Sequence, residues 1–345
     1  MEIRYSSMKK STTMLLLLCA ICFAQTALAT AGTTNPLTTE VTGEVTVLRG
    51  STLAKKLAWL DRSAESHNTY IIEVNANENI APHTFEYNGA INITVILRGD
   101  SENRTIRLKT HGNMFVVKQN VTFILDNNIT LMGHNGNTDR VVNVNGGTLK
   151  MNKGATITNN SGGGVVVRGG IFEMNGGIIS NNITPPSDPY GGGVRVFSAT
   201  FEMNGGTISG NNAINNGGGV DVDSGIFKMN GGTISSNNAR EWGGGVSINS
   251  RQTFNMRGGI ITGNTAGVCG GGVYIHYVNF TKSGGIITSY KNDPINGNVV
   301  KDEDGVIARK GHAVYQNENK RKETTALPDD KLFCNNDNCT GAWDD

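Results

Sequence analysis

The stretch Phe201-Glu202-Met203-Asn204-Gly205-Gly206-Thr207-Ile208-Ser209-Gly210-Asn211-Asn212-Ala213, followed by Gly217-Gly218-Gly219-Val220-Asp221-Val222, decides the fold. Its first half recurs from Phe172, Phe227 and Phe254, the last copy reading Phe254-Asn255-Met256-Arg257-Gly258-Gly259. Met151, Met174, Met203, Met229 and Met256 follow one another at steps of 23 to 29 residues. The Gly-Gly-Gly-Val string ends at Val165, Val194, Val220, Val246 and Val273 and advances with them. Two markers moving together at about 26 residues define one repeating unit, and a period of that size marks a solenoid or a propeller.

Inside each unit the apolar positions alternate with polar ones, which is a strand signal. Val220 and Val222 alternate with Asp221 and Asp223, and Phe and Met two apart make a second strand. Ile179, Ile208, Ile234 and Ile261, each five after its Met, mark a third. Three short strands per unit fit one triangular coil, whereas a propeller blade needs about 40 residues. The expected fold is therefore all-β: a right-handed, single-stranded parallel β-helix. Coils stacked ~4.8 Å apart turn each inward position into a column of like side chains. The isoleucines form one such column and the valines another. Asn182, Asn211, Asn237 and Asn264, each eight after its Met, are expected to form an amide ladder between coils. Disorder, the other reading of Gly/Asn-rich sequence, does not account for apolar positions held in register.

Outward from the repeats the chain divides into four stretches. Residues 1–29 read as a signal peptide: Lys9 and Lys10, then the apolar run Met14 to Ala24, then Ala27-Leu28-Ala29 as a cleavage site. That apolar run is well short of the ~20 residues a membrane-spanning helix needs. Residues 30–70 hold a capping helix, with Ser51 as N-cap and Leu53, Leu57, Leu60 and Ala64 on its apolar face. Residues 71–318 form the β-helix, irregular in its early coils and regular from about 140 to 290. Gly311 to Tyr315 is its last strand, and residues 319–345 are a C-terminal cap or tail. Of the cysteines outside the signal, Cys334 and Cys339 are expected to close a small disulfide loop in an oxidising compartment, leaving Cys269 free.

The repeat resembles those of bacterial surface proteins of the right-handed β-helix, pectin-lyase-like class. It is also similar to the repeats of chlamydial polymorphic outer-membrane proteins, which carry Phe-x-x-Asn and Gly-Gly-Ala-Ile tetrapeptides. Phe172 to Asn175 and Phe227 to Asn230 satisfy the first of these, and Gly-Gly-Gly-Val stands for the second. The likeness covers residues 140 to 290 well. It implies a secreted or cell-surface protein with an adhesive or display role. The large C-terminal barrel of those outer-membrane proteins has no counterpart here.

Chemistry is sparse. The 30 basic and 29 acidic residues nearly cancel, which argues against nucleic acid as partner. Many enzymes of this fold cleave polysaccharides, so the competing function is a lyase or hydrolase acting on an acidic polysaccharide. Outward positions one after each repeat valine are Val166, Arg195, Asp221, Ser247 and Tyr274; three after it are Arg168, Phe197, Asp223, Asn249 and His276. Arg195, Asp221 and Asp223 are the candidate catalytic cluster, although a hydrolase needs two opposed carboxylates and these two lie on one strand. The alternative for them is a solvated face with a surface ion pair. Tyr190, Trp242 and His276 are the candidate sugar-contacting side chains. No metal or cofactor is expected. The reading favoured by the sequence is non-enzymatic binding, with host or matrix glycans or proteins as partners.

Overall fold

The computed structural model describes residues 43–249, 253–276, 279–307 and 311–317, together with the backbone of 334–335 and 338–339. It is an all-β parallel solenoid of about 9 turns. Each regular coil carries three strands. Those of the Phe-x-Met motif, such as Ile171–Met174, and those after the glycine triplets, such as Val165–Arg168, belong to one 17-stranded sheet. The isoleucine strands, such as Thr207–Ser209, form a separate 9-stranded sheet. Among the described residues the strands of successive coils pair in parallel, with Val165 opposite Val194, Val194 opposite Val220, and Val220 opposite Val246. A third, four-stranded sheet of two-residue strands, among them Asn212–Ala213 and Asn238–Ala239, was not legible in the repeat.

The core is a set of ladders. Phe172, Phe201, Phe227, Phe254 and Phe280 stack with centroids 4.8 to 5.0 Å apart. Each is fully buried or nearly so, and burying such a ring contributes ~1.5–3 kcal/mol at every level. The motif's second glycine has a mechanical reason. Gly206 sits at φ +86°, and a Cβ there would lie 2.7 Å from Cε of Met174 in the preceding coil. Gly232 stands in the same relation to Met203. Any side chain at this corner would be strained and would displace the methionine column.

The asparagine ladder is present and longer than the repeat suggests. Nδ2 of Asn211 donates to Oδ1 of Asn237 at 3.0 Å, and the Asn211 backbone N–H donates to the same oxygen at 3.0 Å. The pattern continues through Asn264 to Asn298 and reaches back to Asn160 through a backbone donor. These amides are buried, so each must be satisfied inside the protein. The ladder does this and ties each coil to the next. Asn92, Asn120 and Asn128, which the sequence places at turns, all adopt positive φ, as Asn tolerates better than most residues.

Two expectations change at the amino-terminal end. The helix spans Leu53–Ser63 with Leu53, Leu57 and Leu60 buried, but its N-cap is Thr52, whose hydroxyl accepts from the Lys55 N–H; Ser51 is not the cap. Lys56 is buried and donates from Nζ to the Glu73 carbonyl. The early coils are regular in register: Ile93–Gly99 pairs with Val121–Leu125 in the column that later holds Phe and Met. A strand Val45–Leu48 precedes the helix and pairs with Thr69–Val74. The helix thus occupies the stretch where later coils carry their other strands, and its leucines close the core. No helix among the described residues is long and apolar enough to cross a membrane. The signal segment lies outside the described residues.

Candidate functional site

The strands after the glycine triplets point alternate side chains away from the core. Asn143, Val166, Arg195, Asp221, Ser247 and Tyr274 occupy one outward column, as expected. The column is not exposed, which corrects the reading of Asp221 as a solvent-facing residue: Asp221 is 1% exposed, and Val166, Ser247 and Tyr274 are buried with it. Period-two alternation tells which side of a sheet a residue takes, not what covers that side.

Arg195 and Asp221 belong to an ionic cluster completed by two residues outside the sequence-derived set. Arg195 Nη1 bonds the Asp188 carboxylate, and its guanidinium lies 4.8 Å over the Tyr190 ring. Arg140, from an earlier coil, donates from Nη2 to Asp188 Oδ2 at 2.8 Å and to the Tyr190 carbonyl at 2.6 Å, and from Nη1 to the Gly191 carbonyl. Asp188 therefore joins two arginines. The segment Ile183 to Pro189, which the sequence marks as an insertion, supplies that carboxylate. Asp188 is held below the usual carboxylate range: burial opposes this, and the guanidiniums of Arg140 and Arg195 outweigh it. Arg140 is lowered from its ordinary value, chiefly by burial.

Asp221 behaves oppositely. Burial pushes its carboxyl up to about 7, the neighbouring Asp223 adds to the rise, and Arg195 counteracts it. The Arg195 Nε lies 3.9 Å from Asp221 Oδ2 and makes no hydrogen bond, so its attraction does not offset the loss of water. Asn249 Nδ2 donates to Asp221 Oδ1 at 3.3 Å. Asp223 leaves the expected column: Phe197 pairs with Ser224 where the strand register shifts, and Asp223 has no partner there. Phe197 instead lies beneath the Arg168 guanidinium. The cluster therefore has a carboxyl that holds its proton near neutrality, sealed from solvent beneath its neighbours.

Of the candidate sugar-contacting residues, Tyr190 packs on Arg195, whereas Trp242 and His276 both stack on Tyr274, Trp242 with centroids 5.2 Å apart. Tyr274 also stacks on Tyr315 of the next coil. Cys269 is free and half-buried, its thiol pushed up to about 12 by loss of water. The backbones of Cys334 and Cys339 face each other in an antiparallel pair; their side chains lie outside the described residues. No three metal-ligating side chains converge among the described residues.

An open concavity lies elsewhere, beside the early strands of the 9-stranded sheet. It encloses about 750 Å³. Arg107, Lys109, His134, Asn135, Asn159 and Asn181 line it, with Ile183 at its edge. Arg107 and Lys109 are exposed, and among the described residues neither has a carboxylate within ion-pair distance. The His134 ring lies 5.1 Å from His111. The lining includes no Asp or Glu. Cations and amides on separate coils show no local motif, and none of these residues is among the candidates read from the sequence.

No family model, curated protein or solved structure matches the chain.

Proposed function

We propose that this chain is a secreted or cell-surface solenoid with a non-enzymatic binding or display role, its partner a glycan. One observation carries the reading: the open groove presents amides and cations without a carboxylate, a chemistry that holds hydroxyls and anions and lacks the paired carboxylates of glycoside hydrolysis. The signal-like amino terminus and the likeness of the repeats to β-helix surface proteins of the pectin-lyase-like class support export. Asn ladders and stacked rings give a rigid scaffold, which lowers the ordering cost of binding.

A second reading, cleavage of an acidic polysaccharide, draws on Asp221, whose carboxyl titrates at about 7. A carboxyl 1% exposed has no path to a substrate, and general acid catalysis requires hydrogen-bond reach. The two readings part in one assay on the protein lacking its signal segment. It is screened on a glycan array and incubated with uronate polymers, with and without calcium. Array binding without new reducing ends or unsaturated products is expected. Products that vanish in Arg195→Ala or Asp223→Ala would overturn the binding reading.

A further inference from the structure

The groove beside the 9-stranded sheet draws its lining from five successive coils, those of Asn79, Arg107, Met132, Asn159 and Asn181. At ~4.8 Å per coil this spans roughly 19 Å along the solenoid axis, long enough for several linked sugar rings. Two features characterise it. Several cations at other outward positions are matched: Lys150 meets Glu173 at 2.9 Å, Lys228 meets Glu202 at 3.6 Å, and Arg104 is held between Asp100 and Glu102. Arg107, on the strand Arg104–Leu108, and Lys109, just past its end, have no such carboxylate among the described residues. Beyond them the exposed side chains of Asn79, Asn135, Asn159 and Asn181 offer both donors and acceptors.

Resting on the binding reading above, we propose that this groove is the site, and that its ligand is an anionic polysaccharide bearing carboxylate or sulfate groups. Arg107 and Lys109 pair with the anionic groups, and the asparagine amides hydrogen-bond ring hydroxyls. A polyanion is favoured because unmatched cations at the same end of a groove otherwise repel each other. A sugar polymer is favoured over nucleic acid because the lining offers amides in place of the aromatic platforms on which unpaired bases stack. The net charge of +1 also gives no general attraction for phosphate backbones.

The test uses the protein lacking its signal segment, with heparin, polygalacturonate, a neutral glucan and single-stranded DNA as probes. Binding is followed by affinity electrophoresis and calorimetry at two salt concentrations. The proposal expects binding to heparin or polygalacturonate that weakens with salt. It expects a fall of about tenfold for each of Arg107→Ala and Lys109→Ala, with Lys150→Ala and Lys228→Ala unchanged. Unaltered melting temperatures in these exposed-site variants show that the loss is not unfolding. Anionic-polymer binding that survives the Arg107/Lys109 double variant would overturn the site. Preference for the neutral glucan would overturn the ligand class while leaving the general binding reading standing. Tighter binding of DNA than of either polysaccharide would overturn the ligand class too. Failure to bind any probe would overturn the proposal, and a glycan-array hit outside these probes would then preserve the broader reading.

Discussion

Two sites on this solenoid each gather two cations and differ in what surrounds them. At the insertion Ile183 to Pro189, Arg140 and Arg195 share Asp188, and Asp221 lies sealed beside them. In the groove, Arg107 and Lys109 face an open space with no carboxylate in its lining. Buried cations must find partners inside the protein because losing water is costly, so the first site is consumed by the fold. The second remains available to a ligand. Proximity of charges in a repeat register thus says little about function until the covering of each column is known.

The comparison can be broken most readily at the buried site. Asp188→Ala leaves Arg140 enclosed with only carbonyl partners and should destabilise the protein by about 3–5 kcal/mol, measured by denaturant unfolding. A loss below about 1 kcal/mol, the range of surface pairs, would place the cluster in solvent. Tyr190→Ala removes the ring beneath Arg195 and should cost about 1–2 kcal/mol in the same measurement. An unchanged midpoint would mean that the ring contact contributes nothing. At the groove, Arg107→Ala combined with Lys109→Ala should shift stability by no more than about 0.5 kcal/mol. A larger change would show these cations to be structural and would erase the contrast.

How much of this the residues disclosed follows from which interactions are periodic. Val220, Ile234, Phe227, Met229 and Asn237 recur in every regular coil, and their columns, including the amide ladder, were legible. The early coils were harder because they keep the columns while changing the residues: Phe123 and Leu149 stand where later coils place the Phe stack. Arg140 left no signal, since its partner Asp188 lies 48 positions later and the pairing depends on an insertion present in one coil. Asp223 was assigned to a column that a local register shift beside Ser198 removes; Ser198 itself takes φ +50°. The groove was illegible for a related reason: Arg107, His134 and Asn181 meet only because coils stack, and none repeats.

The Arg195–Asp221 cluster belongs to the fold, and the pH dependence of stability is where this shows. The unfolded carboxyl titrates near ~3.9, and the folded one is raised to about 7. Between those values the native protein holds a proton that the unfolded chain has released, so stability from this group falls as pH rises through the window and levels off above it. Asp221→Asn removes the titration while keeping the shape. Denaturant unfolding of both proteins at pH 5 and pH 8 should show wild type losing roughly 1–3 kcal/mol more than the variant over that interval. Parallel pH profiles, or a wild type that gains stability relative to Asp221→Asn on going to pH 8, would mean that Asp221 is open to solvent and free for chemistry.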